Sequence, residues 1–308
     1  MILLSFLFYN FLSYYSDSAK LLELITDFPI EIIKAFFFII TAYIFRYIRW
    51  RYIFSHLGEK TSIIKDLLIW FGSFAFAVTP LRTGELSRCF LLKQKCGIDK
   101  SFSFAGILFE RITDGVSLLL IIFYHIPFYL SWASLVNYNL KFKELFLIIL
   151  IIMIILLFFQ NNIFSTFAKT IHRFKLSFYE KLKILFKKEI LFISISLGIT
   201  AWTFEGISFF ILLKGLNASL NIQDAILSQL SSGLLGAISF MPGGIGTTEA
   251  SSIAILLAQD ININIATSAT LLGRLISLWL ISFIGLICFI YIYSSPNLKN
   301  NCLKTSKF

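Results

Sequence analysis

A small set of ionisable residues lies inside otherwise apolar stretches, and these side chains carry most of the chemical capacity of the sequence. They are Glu110, Arg111 and Asp114, then Glu205, then Glu249, then Arg274, with Glu85 at the mouth of a further stretch. Inserting such a group into an apolar helix costs roughly 2.5–3.5 kcal/mol, so each one demands a partner or water. Arg111 and Asp114 are three residues apart and Glu110 and Asp114 four apart, which places them on one helix face. Arg274 has no acid within four residues, and Glu249 or Glu205 is its expected partner. Two readings follow from the same chemistry: buried ion pairs that fix helix register, or a site for a charged substrate.

Glycine-rich breaks lie next to these charges. Pro242-Gly243-Gly244-Ile245-Gly246 precedes an expected half-helix, with Thr247 or Thr248 as the expected cap, and Pro80 and Gly84 lie in a similar break. A half-helix N-terminus carries about half a positive charge and welcomes an anion. With Arg82, Arg88, Arg111 and Arg274 nearby, the expected ligand is a phosphate. The candidate substrate-binding set is therefore Arg82, Glu85, Arg88, Glu110, Arg111, Asp114, Glu205, Gly243, Gly244, Gly246, Glu249 and Arg274. No catalytic residue, cofactor or metal site is expected. The four cysteines (Cys89, Cys96, Cys288, Cys302) form no CxxC, and the three histidines form no HExxH. The common glycine-rich nucleotide loops and the serine-hydrolase elbow are missing from the chain as well.

The elements that must hold these residues are membrane helices. Of 308 residues, 57% are apolar and 14% charged, 35 are Phe, and the mean hydropathy is +0.83. A soluble domain is about a quarter charged and about half apolar. Apolar stretches lie near 1–15, 28–50, 102–125, 145–159, 190–212 and 265–293, without the alternation of a β-barrel strand. A spanning helix needs about 20 such residues. Residues 1–15 have no leading positive charge and no small-x-small cleavage site, so an uncleaved segment is expected there. The fold class is all-α: a polytopic integral membrane bundle.

Basic residues give an expected orientation. Segments 46–65, 81–101 and 161–189 and the tail from Ser294 hold twenty Lys and Arg, while the remaining connections hold five. Basic loops stay in the cytoplasm, so both termini are expected inside the cell. The net charge of +10 then points to a membrane surface and not to nucleic acid. Because 46–65 and 81–101 are both basic, the stretch between them, interrupted at Gly72, is expected to enter and return. Residues 225–258 look alike from the other side. Six spans and two re-entrant hairpins satisfy every loop. Pro80 and Pro242 are 162 apart, and Arg111 and Arg274 are 163 apart. This predicts an inverted repeat, with halves near 28–125 and 190–293, a transporter-like arrangement with its site near the midplane. Residues 161–189 carry an apolar stripe at helical spacing and many lysines, predicting a basic amphipathic helix on the cytoplasmic leaflet, with packing against the bundle as the alternative. Residues 295–308 are expected to form a short cytoplasmic tail.

Several motifs occur in a telling order: Arg49-Trp50-Arg51; Pro80 with Gly84-Glu85 and Arg88; Glu110-Arg111 with Asp114; Pro242-Gly243-Gly244 with Gly246 and Glu249; and Gly273-Arg274. Across about residues 1–294 the chain resembles the lysylphosphatidylglycerol synthase transmembrane-region, or flippase-like, family. That resemblance implies a lipid-handling domain of the plasma (cytoplasmic) membrane, multi-pass, whose partner is a phospholipid or an isoprenoid-phosphate lipid. Some relatives join such a domain to a cytosolic aminoacyl-transferase. The longest soluble stretch here is the 29-residue segment 161–189, so synthase activity is not carried over. A flippase or transporter-like protein for an anionic or phosphate-bearing lipid is the expected function. The alternatives are a membrane-embedded glycosyl- or aminoacyl-transferase, or an accessory subunit of a separate cytosolic lipid-modifying enzyme.

Overall fold

Among the described residues, a long helix, a pair of short helices and a second long helix occur in that order on each side of a short connecting helix. The computed structural model describes residues 28–58, 61–79, 84–133 and 172–295. The stretches expected near 1–15 and 145–159, the tail beyond Ser295, and Arg82 lie outside the described residues. In the first half, α1 (Pro29–His56) is followed by α2 (Ile63–Ser73), a 3-10 turn (Phe74–Phe76), α3 (Ser87–Cys96) and α4 (Lys100–Ala133). A short helix, α5 (His172–Leu185), leads to the second half. There α6 (Lys188–Gly215) precedes α7 (Ile222–Ile238), a 3-10 turn (Pro242–Gly244), α8 (Thr247–Leu257), α9 (Ile263–Arg274) and α10 (Leu280–Ser294). All described elements are helical, as the composition predicted.

Local sequence sets the boundaries. Pro29 occupies the first turn of α1, where its missing N–H costs nothing. Gly97 closes α3 in the left-handed region (φ 73°), and the N–H groups of Gly97 and Ile98 return to Lys93 and Leu92 carbonyls. Asn262 caps α9 by accepting from the Asn264 N–H at 2.9 Å. Between α9 and α10 the helix continues through one π turn, Leu275–Trp279, directly after Arg274. Such turns insert an extra residue and often mark function. Both α6 and the continuous Ile263–Ser294 helix are long and apolar enough to cross a membrane. At 1.5 Å per residue, α1 and α4 extend about 42 and 51 Å, also sufficient in length.

The two halves interlock. Helices α1 and α6 run antiparallel along their lengths: Phe28 and Glu31 crowd Gly215, while Ser208 donates to the Ala35 carbonyl at 2.8 Å. The α2 side packs on α10 of the other half. A Cβ at Gly285 would meet Phe71 and Ala75 backbone, and one at Gly72 would meet Ile292 and Phe289. Gly72 lies in the last turn of α2, one residue before the α-helix gives way to the 3-10 turn, and it lets α10 approach. In turn α7 packs on α4 of the first half.

Each pair of short helices folds back toward its own origin. Ser228 near the start of α7 donates to Gln259 beyond the end of α8, at 3.0 Å. The start of α2 sits beside the last turns of α1, where Tyr47 donates to the Ile63 carbonyl and Arg51 to Thr61. The end of α3 lies beside the end of α10, joined by Lys95 Nζ to the Ser295 carbonyl at 3.2 Å. The first hairpin thus begins at the C-terminal end of α1 and the second beyond the C-terminal end of α6, which lies against the start of α1. Their tips meet: a Cβ at Gly243 would stand 3.3 Å from Val78 Cα.

Helix α5 packs against the bundle, the alternative stated for segment 161–189. Its apolar residues Phe178 and Leu182 are buried against Ala105 of α4, with Phe104 and Leu108 packed alongside. Lys181 lies 4.3 Å from the Phe102 ring centroid and donates to the Leu57 carbonyl. The apolar face meets the bundle over these residues. Residues 161–171 lie outside the described residues.

Candidate functional site

A buried alternation of arginines and carboxylates occupies the space between α1, α3, α4 and α6. On α4, Glu110, Arg111 and Asp114 share a face as their spacing required. Asp114 pairs with Arg49 of α1 at 2.6 Å, and Glu110 pairs with Arg88 of α3 at 3.0 Å. Arg88 is wholly buried; its Nε and Nη2 donate to Ser73 at 3.3 Å, and its guanidinium stacks 4.4 Å from the Trp50 ring. Arg46 reaches across to Glu205 of α6 at 2.5 Å, flanked by the rings of Tyr43 and Trp202. Among the described residues, four arginines (46, 49, 88, 111) face four acids (85, 110, 114, 205).

Arg111 stands apart within this cluster. Its side chain is 32% exposed, whereas those of Glu85, Glu110 and Asp114 are at most 10% exposed. Glu85 and Asp114 each lie 3.3 Å from its Nη2 and Glu110 lies at 3.9 Å, while its buried Nε makes no hydrogen bond. One guanidinium thus serves three carboxylates and still has a donor to give.

The second group is tighter. Arg274 Nε donates to Glu249 at 2.7 Å, and Nη2 donates to the Gly243 carbonyl at 2.6 Å. Glu249 in turn accepts from the Gly246 N–H at 2.7 Å. The carboxylate caps its own helix from the third position, so the expected role of Thr247 or Thr248 falls instead to Glu249. Ser251 donates to the carbonyls of Thr247 and Thr248. Gly243, Gly244 and Gly246 have φ of 60°, 67° and 86°, a region that side chains disfavour, and so provide the tight break. The positive end of α8 is thereby already neutralised by an acid that Arg274 also holds.

The structure joins Glu85, Arg88, Glu110, Arg111 and Asp114 in one cluster, with Glu205 attached through Arg46. It gathers Gly243, Gly244, Gly246, Glu249 and Arg274 in a second. Arg82 lies outside the described residues. Two acid–arginine pairs are formed: Glu85 with Arg111, and Glu249 with Arg274. Among the described residues no three His, Cys, Asp or Glu side chains converge as for a metal ion.

Neither Arg46 nor Arg49 was among the expected binding residues, because the sequence reading counted both with a cytoplasmic loop, although Arg49 stood in the first of the ordered motifs. Both are buried within α1, and so is Arg88 in α3. They cannot act as loop charges, and the asymmetry behind the expected orientation is smaller by those three. A signal was present: Ala35, Ile39, Ala42, Arg46, Arg49 and Ile53 step by four and three, a single helical stripe that ends up buried.

Comparison with known proteins agrees with this architecture. The family described as the lysylphosphatidylglycerol synthase transmembrane region matches residues 2–285. A UPF0104 membrane protein of Methanocaldococcus jannaschii is 30% identical over 230 residues, covering 73% of this chain and 97% of the relative. A second UPF0104 membrane protein of that organism is 25% identical, covering 95% of this chain and 94% of its own length. A third, from Pyrococcus horikoshii, is 31% identical over 84 residues. A membrane bundle with ordered charge motifs, matched over nearly its whole length, places this chain in the family of lysylphosphatidylglycerol synthase transmembrane regions.

Proposed function

We propose that this membrane protein carries the head group of an anionic or phosphate-bearing lipid between leaflets, with Arg111 as the first contact for the phosphate. The observation that carries the reading is the exposure of Arg111 at the edge of an otherwise sealed charge cluster, with its Nε free of hydrogen bonds. A phosphate entering a membrane must replace its lost water with other donors, and a guanidinium offers a fork of them. Acyl chains stay in the bilayer in this scheme, so the path is a groove open to lipid.

The reading includes the topology. The two hairpins are taken as re-entrant from opposite sides, the halves as an inverted repeat, and both termini as cytoplasmic in a plasma-membrane, multi-pass protein. Meeting hairpin tips and repeated acid–arginine pairs support it, since broken helices at matching positions of two halves mark binding sites in transporters. Arg274, closed by Glu249 and the Gly243 carbonyl, is the second station, reached after the head group leaves Arg111.

The test is leaflet exchange in vesicles containing the purified protein and fluorescent phosphatidylglycerol. Arg111→Ala should slow exchange at least tenfold, while its melting temperature in detergent falls little. Exchange at the wild-type rate in a well-folded Arg111→Ala, Arg274→Ala double variant would end the proposal.

A further inference from the structure

We infer that the Tyr43 hydroxyl is the donor that receives a phosphodiester between its two stations, on the way from Arg111 to Arg274. This deepens the lipid role proposed above and rests on it. On α1, Arg49, Arg46 and Tyr43 follow one another at intervals of three, a row that advances about 9 Å along the helix. Each member meets a different element. Arg49 pairs with Asp114 of α4 at 2.6 Å, beside Arg111, and Arg46 pairs with Glu205 of α6 at 2.5 Å. Tyr43 donates to the Ser277 carbonyl at 3.1 Å. Ser277 sits in the π turn that begins directly after Arg274. The row thus leads from the cluster that holds Arg111 to the backbone beside Arg274, and it joins the two groups of charges.

The setting of Tyr43 suits a hand-off. Its ring is clamped edge-on by Trp70 and Phe74, with centroids 6.2 and 5.5 Å away, and the Arg46 guanidinium lies 5.1 Å from its centroid. The oxygen is therefore fixed, and only the direction of its O–H can turn. Tyr43 also lies within electrostatic reach of both Arg46 and Arg111. The ring is buried, but its bond to Ser277 is only partly so, and Ser277, Arg111 and Arg274 are all partly exposed. An anion that leaves one arginine for another inside an apolar bundle needs a donor at every stage. At rest the O–H is directed to a neutral carbonyl. A hydrogen bond to a charged phosphate oxygen is roughly twice as strong. The O–H therefore turns to the phosphate on its arrival and returns to Ser277 on its departure. The phenol keeps its proton throughout, and no covalent bond forms or breaks.

The full chain is reconstituted in phosphatidylcholine vesicles with increasing fractions of fluorescent phosphatidylglycerol. Tyr43→Phe keeps the clamped ring and removes only the hydroxyl. Its maximal exchange rate should fall about tenfold, the usual weight of a hydrogen bond to a charged group. The lipid fraction that half-saturates exchange should stay at the wild-type value, because the first contact at Arg111 is intact, and so should the melting temperature in detergent. A wild-type maximal rate in folded Tyr43→Phe, or a change confined to the half-saturating fraction, overturns the inference and leaves the lipid role standing. A rate and a melting temperature that fall together make the hydroxyl a brace for the π turn, and overturn it as well. If Tyr43→Phe does not fold, a fluorotyrosine in place of Tyr43 decides. Its fluorine resonance should move when phosphatidylglycerol is added to the protein in phosphatidylcholine nanodiscs, and a fixed resonance overturns the inference. Movement with soluble glycerol phosphate supports a phosphate taken from solution; movement with the lipid alone supports the lipid as its source. Absence of exchange by the wild-type protein at every lipid fraction overturns the lipid role and this inference together.

Discussion

Arg49 and Arg111 belong to one cluster yet answer to different physics. Arg49 is fully buried, and it is the nearest arginine to Asp114, at 2.6 Å against 3.3 Å for Arg111. Removing one member of a buried pair strands the other at a cost of about 3–5 kcal/mol, whereas replacing both by apolar groups is often neutral. Arg49→Met should therefore lower stability by about that much, and Arg49→Met with Asp114→Leu should recover most of it; detergent melting curves compare the three proteins. Equal loss in single and double variants would mean that the pair is not the unit. At Arg111 the order reverses, with exchange failing well before stability. Glu249 gives a third contrast. Glu249→Gln keeps an acceptor for the Gly246 N–H but loses the charge opposite Arg274, while Glu249→Leu loses both. The leucine variant should be less stable than the glutamine variant by about 1 kcal/mol, the usual worth of a cap.

Elements decide which of these contacts exist, and glycine decides how close the elements come. Gly243 combines a positive φ with a tip that touches Val78. Gly243→Ala should cost about 1–2 kcal/mol from backbone conformation alone, with the crowding at Val78 in addition. Gly233, inside α7, has open space where a Cβ would go, so Gly233→Ala should be neutral or stabilise by up to about 1 kcal/mol. Melting temperatures of the two variants moving in opposite directions would bear this out, and a stable Gly243→Ala would show that the tip is not held as described. The helices themselves were legible: apolar runs near 28–50, 190–212 and 265–293 became α1, α6 and α9–α10 with modest extension. So was the need of Arg274 for an acid from another element, Glu249 or Glu205, because an unpaired intramembrane charge is costly; which of the two it meets, Glu249, came from the structure. Arg88 was readable only as part of a glycine-rich mouth, because the rings of Trp50 and Trp70 that enclose it come from two other helices. The stripe of Arg46 and Arg49 was visible in principle, but counting basic residues by segment assigned them to water. Neither the π turn after Arg274 nor the Tyr43 hydroxyl that bonds its Ser277 carbonyl has a sequence signal of its own.

At the scale of the whole molecule the question is which ends share a side of the membrane. The polar contacts divide the ends into two groups. Lys95 at the end of α3 holds Ser295 at the end of α10, and Lys181 of α5 holds Leu57 at the end of α1. On the other side, the end of α6 crowds the start of α1, and the start of α7 holds Gln259 beyond α8. If the hairpins are re-entrant from opposite faces, Lys93 belongs to the first group and Asn262 to the second. Both are exposed, and the Lys93 ion pair with Asp99 is a surface pair of little energetic weight, so cysteine is tolerated at either place. With the four native cysteines replaced by serine, Lys93→Cys should react with a membrane-impermeant maleimide only in inverted vesicles, and Asn262→Cys only in intact cells. The side assignment for Lys93 comes from basic residues that remain outside the buried set, Lys93 itself, Lys100, Lys183 and Lys187 among them. Reaction of both cysteines from one side would remove the opposed hairpins, and with them the two stations that the proposed lipid path requires.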